Sequence, residues 1–211
     1  MNWNKRVQAA WQRELEQGDY DTVGVLKFNK GTAVSRNTAQ ALYGAYWHKL
    51  DRMLFVRAAD KGACVSRWCF VEGGEYGANT HLHFVARSPI EVEKFCTVAS
   101  ALWANFHQYA ASCEYSWITP TVSNAASSAY NTKETWWLRD DMTGVACSRQ
   151  NTTGIDYKAF ENTAQAKRIL TRIGEAELIK AKDAMHRHIT KITEGRQLRQ
   201  RLVELRGIQQ A

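Results

Sequence analysis

Two apolar runs joined by a glycine-rich stretch constrain this chain more than any other part of its sequence. Ala63 to Glu72 is rich in Cys, Val, Trp and Phe, and after Gly73-Gly74-Glu75-Tyr76-Gly77-Ala78 comes Asn79-Thr80-His81-Leu82-His83-Phe84-Val85-Ala86-Arg87. Runs of this composition on either side of a Gly-containing connector predict an antiparallel hairpin, which Pro89 ends. Successive side chains in a strand point to opposite faces, so His81 and His83 share one face while Leu82 and Phe84 pack on the other. If Glu72 stands opposite His81, the connection is eight residues long. Glu72, His81 and His83 then share a face, because cross-strand neighbours lie about 5 Å apart and project the same way.

Two imidazoles and a carboxylate suit Mg²⁺ or Mn²⁺ better than structural zinc, which prefers Cys-rich tetrahedra, and they leave positions open for a substrate phosphate. Glu75, in the connector, competes with Glu72 as third ligand. The plainer alternative is a pair of half-buried histidines on a strand surface.

A second element is Tyr130-Asn131-Thr132-Lys133. On a helix, residues three apart are neighbours, so the Lys133 ammonium can sit beside the Tyr130 phenol or beside whatever the phenol attacks. A phenol with a pKa near 10 is a weak nucleophile until a metal and a cation stabilise the charges it creates. Alone, this spacing occurs commonly as surface decoration.

The rest of the chain supplies a frame. Trp3, Val7, Ala10, Trp11 and Leu15 recur at helical spacing over residues 2–17, ending at Gly18. Val23 to Phe28 reads as a buried strand, and Ser35 as the cap of a helix carrying Tyr43, Tyr46 and Trp47 on an apolar stripe. Ile90 to Gln108 has the pattern of a helix packed on a sheet. Cys113 to Thr119 reads as a strand stopped by Pro120, and Ala129 to Leu138 as a short helix capped by a preceding serine. Met142 to Gly154 fits a hairpin or an irregular loop. From Tyr157 the chain reads as two or three helices, or one long kinked helix, interrupted at Gly174 and Gly195. The expected class is α+β: a central, mostly antiparallel sheet in β-α-β-β-α-β order with helices on one face. Residues 1–155 form the expected main domain and 156–211 a basic helical extension.

Charge is distributed unevenly. From Tyr157 to the end there are twelve Lys or Arg against six Asp or Glu, a surplus of six within a net charge of +7, so a polyanionic partner would meet this region first. No apolar run approaches the length of a membrane span, and Asn2-Trp3-Asn4-Lys5-Arg6 is not a signal-peptide start, so a cytoplasmic protein without a membrane partner is expected. Five cysteines without Cys-x-x-Cys spacing indicate neither a disulfide framework nor a zinc finger.

Taken in order, an apolar strand, His81-Leu82-His83, a helix, a strand and then Tyr130-x-x-Lys133 resemble the HUH endonuclease superfamily. The likeness is to the single-tyrosine replication initiators (Rep proteins) of rolling-circle plasmids, phages and small single-stranded DNA viruses, and covers roughly residues 20–140. Val25-Leu26-Lys27-Phe28 stands where the family's first motif would be, but lacks its usual Thr and receives no role. The family's third metal ligand lies on the strand before the histidines, which favours Glu72. The resemblance implies a metal held by Glu72, His81 and His83, attack by Tyr130 on single-stranded or cruciform origin DNA, a 5′-phosphotyrosine with a free 3′-hydroxyl, and Lys133 orienting the phosphate or offsetting its charge. With no Gly-x-x-x-x-Gly-Lys loop in the sequence, a host helicase and polymerase are the expected partners.

Rival assignments are open at this point. A relaxase or transposase of the same superfamily would share the motifs, and a non-catalytic, RRM-like RNA- or DNA-binding module would share the element order. Tyr43 and Tyr46 precede the histidines, as in permuted relatives, but their neighbours favour core packing. His186 and His188 fall in a helical segment, where residues two apart diverge by about 200° and cannot share a metal; they read as surface histidines. Trp136, Trp137 and Arg139 are candidate DNA contacts. Lys180, Lys182, Arg187, Lys191 and Arg196 are candidates to bind phosphates or to mediate self-association into a homo-oligomer.

Overall fold

A computed structural model describes residues 3–29, 34–72, 80–132 and 147–208. In chain order its elements are α1 (Trp3–Gln17), β1 (Thr22–Lys27), α2 (Arg36–Phe55), β2 (Arg67–Glu72), β3 (His81–Ala86), α3 (Val92–Ala104), β4 (Trp117–Pro120), α4 (Asn124–Asn131), α5 (Ala164–Ile173) and α6 (Glu175–Ile208). The four strands form one antiparallel sheet in the order β2-β3-β1-β4. β1 and β2 therefore run parallel with β3 between them, a split βαβ arrangement.

One sheet face carries Leu26, Cys69, Val71, Leu82, Phe84 and Ile118 into the main core, against Tyr43, Trp47 and Leu50 of α2 and Phe95, Leu102 and Trp103 of α3. Gly24 belongs to this face. A Cβ there would stand 2.5 Å from the Phe84 ring, so glycine makes room for that ring, which packs edge-on against Trp47 at 5.0 Å. Ser35 caps α2, its hydroxyl accepting from the Thr38 amide at 3.2 Å.

The other face is not bare, which corrects the expectation of helices on one face only. Trp11 and Leu15 of α1 pack on Phe70, Val85 and Val23, with Trp68 and Trp117 alongside. α4 packs against both α1 and β3. Gln8 donates to the Thr132 carbonyl at 3.0 Å and Ser128 to Glu16 at 3.0 Å, tying α4 to α1. An amphipathic stripe requires burial without naming the surface that provides it.

Other differences are local. The β2 ladder begins at Arg67, not Ala63, and β4 spans Trp117–Pro120, with Pro120 on an edge strand where its missing N–H costs nothing. α4 begins at Asn124, five residues before the expected start. Gly174 breaks the C-terminal helices at φ 82°, whereas Gly195 lies inside α6. Phe160, Ile169, Ala181 and Met185 join the main core. Among the described residues no helix is long and apolar enough to cross a membrane.

Arg67 is buried at the start of β2. It donates to both Asp51 carboxylate oxygens at 3.1 Å, to the Val65 carbonyl at 2.8 Å and to the Cys147 carbonyl at 3.0 Å, and lies 4.5 Å from the Trp47 ring. Burial raises the Asp51 pKa in spite of the guanidinium beside it, so desolvation exceeds the attraction within the pair. Arg67→Met should therefore cost about 3–5 kcal/mol by leaving a buried carboxylate uncompensated. Adding Asp51→Asn should recover part of that loss in urea unfolding; a double variant at least as unstable as the sum of its singles would show the two do not act as a pair.

Candidate metal centre

The β2–β3 ladder pairs Glu72 with His81 and Phe70 with His83. Glu72 thus closes β2 on the face where β3 presents its two imidazoles. Glu72 Oε2 lies 3.2 Å from His81 Nε2 and 3.0 Å from His83 Nε2, and the imidazole centroids are 4.7 Å apart. One donor atom from each of the three residues falls within 4.8 Å of the others, and all three residues are buried.

This group can hold a metal ion. With metal–ligand bonds of about 2.1 Å, donors at right angles around an octahedral ion stand about 3.0 Å apart, close to both Glu72–imidazole separations. The donor set suits one as well, because a carboxylate oxygen and imidazole nitrogens are ordinary ligands of a divalent ion.

α4, the helix containing residue 130, packs on β3, the strand of the two histidines. Glu75, Lys133, Trp136, Trp137 and Arg139 lie outside the described residues, as does the side chain of Tyr130. The rival phenols are inside the core. Tyr43 donates to the Leu26 carbonyl at 3.1 Å and Tyr46 to the Ala99 carbonyl at 3.0 Å. Burial raises the pKa of both well above the usual tyrosine value, which holds them protonated.

In the C-terminal helices, Lys180, Lys182, Arg187 and Lys191 are exposed and Arg196 is half-buried. Lys180 pairs with Glu177 at 2.6 Å, which raises its pKa and occupies part of its charge. His186 is exposed, but His188 is not the surface residue expected: its ring stacks on Trp117 at 4.2 Å, and burial, with Lys191 nearby, lowers its pKa.

Sequence reasoning gave Lys27 no role. β1 pairs with β3 so that Lys27 stands opposite His81 on the same face, half-buried. The alternation of β1 carries the signal, but only once β1 is known to lie beside β3.

Mn²⁺ should stabilise the protein by about 2.7 kcal/mol at a hundredfold excess over Kd, read as a thermal shift. His81→Ala, His83→Ala and Glu72→Gln should each abolish the shift, and Glu75→Gln should preserve it; loss with Glu75→Gln and retention with Glu72→Gln would move the third ligand into the connector. Comparison with family models, with curated proteins and with solved structures gives no match.

Proposed function

We propose that this chain is a metal-dependent, single-tyrosine enzyme that nicks and rejoins single-stranded DNA to start rolling-circle replication. The observation that carries the reading is the buried Glu72–His81–His83 group, whose donors have the separation and chemistry for one divalent ion. The packing of α4 against β3 supports it, because the helix of Tyr130 then belongs to the same neighbourhood of the fold.

Mg²⁺ or Mn²⁺ bound by these three residues would supply Lewis-acid stabilisation of the charge developing on a scissile phosphate. Tyr130 gives up its phenolic proton to solvent, which returns one to the departing 3′-oxygen, and the phenolic oxygen bonds to phosphorus. The bond from phosphorus to the 3′-oxygen breaks, its electron pair stays on that oxygen, and protonation gives a free 3′-hydroxyl. The phosphodiester is conserved as a 5′-phosphotyrosine, so the reverse attack rejoins the strand and the hydroxyl can prime synthesis. Lys133 orients the phosphate, and Lys27, opposite His81, offsets its charge.

Incubating the protein with Mn²⁺ and a pool of single-stranded, hairpin-bearing oligonucleotides should give an adduct that survives denaturing electrophoresis. Tyr130→Phe should reduce it by about 10³-fold or more. His81→Ala should abolish it and leave oligonucleotide binding largely intact, and Tyr43→Phe and Tyr46→Phe should retain it. Metal-indifferent binding with no covalent product from any oligonucleotide would instead identify a nucleic-acid-binding module without chemistry.

A further inference from the structure

The face that carries the histidines continues across β1 to β4, where it meets the middle of α6. A groove of about 470 Å³ lies there, in the range of small-ligand pockets. Its floor is apolar, formed by Val23 and Trp117, with the Trp117 indole stacked on His188. Thr119 also lines it, and its buried hydroxyl has no partner among the described residues. The α6 wall presents Lys191, Arg196 and Arg199, and among the described residues that line the groove there is no carboxylate.

Lys191 and Arg199, eight residues apart, fall on one side of α6, and Arg196, three residues before Arg199, stands at its flank, so that all three line the groove. Between Lys191 and Arg199 the axis rises on the order of 12 Å, enough to meet more than one phosphate of an extended strand. A cationic wall over an apolar, aromatic floor is the arrangement that holds single-stranded nucleic acid: backbone phosphates on the cations, a base against the floor.

We infer that this groove between β4 and α6 binds one nucleotide of the DNA single strand, outside the metal centre, with its phosphates on Lys191, Arg196 and Arg199. The inference rests on the proposed DNA substrate. It deepens that reading by assigning a track to the strand beyond the cleavage point, and it gives the C-terminal positive charge a place to act. Binding at the groove needs neither the metal nor Tyr130.

Gly195 gives a test that spares the fold. It lines the groove, a Cβ added there meets nothing within 4 Å, and most residues are better helix formers than glycine. Binding of a fluorescein-labelled oligothymidylate to the full chain is measured by anisotropy in low salt with EDTA. Gly195→Lys should bind about threefold tighter and Gly195→Glu about threefold weaker, with Gly195→Ala unchanged. In the triple variant K191A/R196A/R199A the slope of log affinity against log salt should flatten by about two. Equal affinity across the Gly195 series, an unchanged salt slope, or a wild-type protein that does not bind the oligonucleotide would overturn the groove. Groove-dependent binding with no adduct under any metal would support the groove and remove the nicking reading. Adduct formation with groove-independent binding would do the reverse.

Discussion

The register of β2 against β3 is the constraint on which the rest depends. A strand has a side-chain period of two, so a slip of one residue would turn His81 and His83 into the main core and move Leu82 and Phe84 out of it, onto the face covered by α1 and α4. Several unrelated contacts oppose that slip. On the core face Phe84 needs the space at Gly24 and the edge of Trp47. On the opposite face Phe70 meets Trp11 at 5.6 Å, and Trp68 meets it at 5.0 Å. At the start of β2 the Arg67 guanidinium is fixed by Asp51 and two carbonyls. The geometry of the candidate metal centre thus follows from packing on both faces of the two strands, and all three of its donors sit on regular strand.

Both edges of the sheet are managed as well, which keeps that register from being shared with another chain. Outside β2, Arg149 exchanges backbone hydrogen bonds with Arg67 at 2.8 and 3.0 Å, and Ser148 accepts from the Cys69 amide at 2.7 Å. Residues 142–146 lie outside the described residues; from Cys147 the segment is irregular with one isolated bridge to Arg67, and it covers an edge that would otherwise offer unpaired amides. β4, on the opposite edge, is short, ends in Pro120 and has α6 packed against it. Short length and proline make it a poor template for a further strand.

What was legible in the sequence was what depends on neighbours close in the chain. The alternation of His81 and His83, the placement of Glu72 across the hairpin and the Ser35 cap each need only a few consecutive residues and one turn. Lys27 and the position of α1 needed the order of strands, set by contacts between residues far apart in the chain. Gly174 and Gly195 look alike in sequence. Gly174 ends α5 with a positive φ while Gly195 continues a helix, because the packing of α6 on α3 decides where the chain must turn. His188 was read from its own helix alone, and its environment comes from Trp117 on another element.

Charge divides the histidine-bearing face in a way that bears on the proposed reaction. At one end a buried carboxylate and two imidazoles favour a cation; at the other, Lys191, Arg196 and Arg199 favour an anion, and the buried side chains of Val23 and Val25 lie on β1 between them. A strand of DNA, the substrate proposed above, would be drawn to the second end, while at the first Lys27 already offsets the Glu72 carboxylate. Lys27, beside His81, works against metal binding and in favour of phosphate binding at the same spot. With Lys27 and Glu72 cancelling, a divalent ion alone would leave two positive charges at the centre and a divalent ion with a phosphodiester one, so in the proposed reaction the substrate phosphate would favour metal binding and the metal would favour the phosphate.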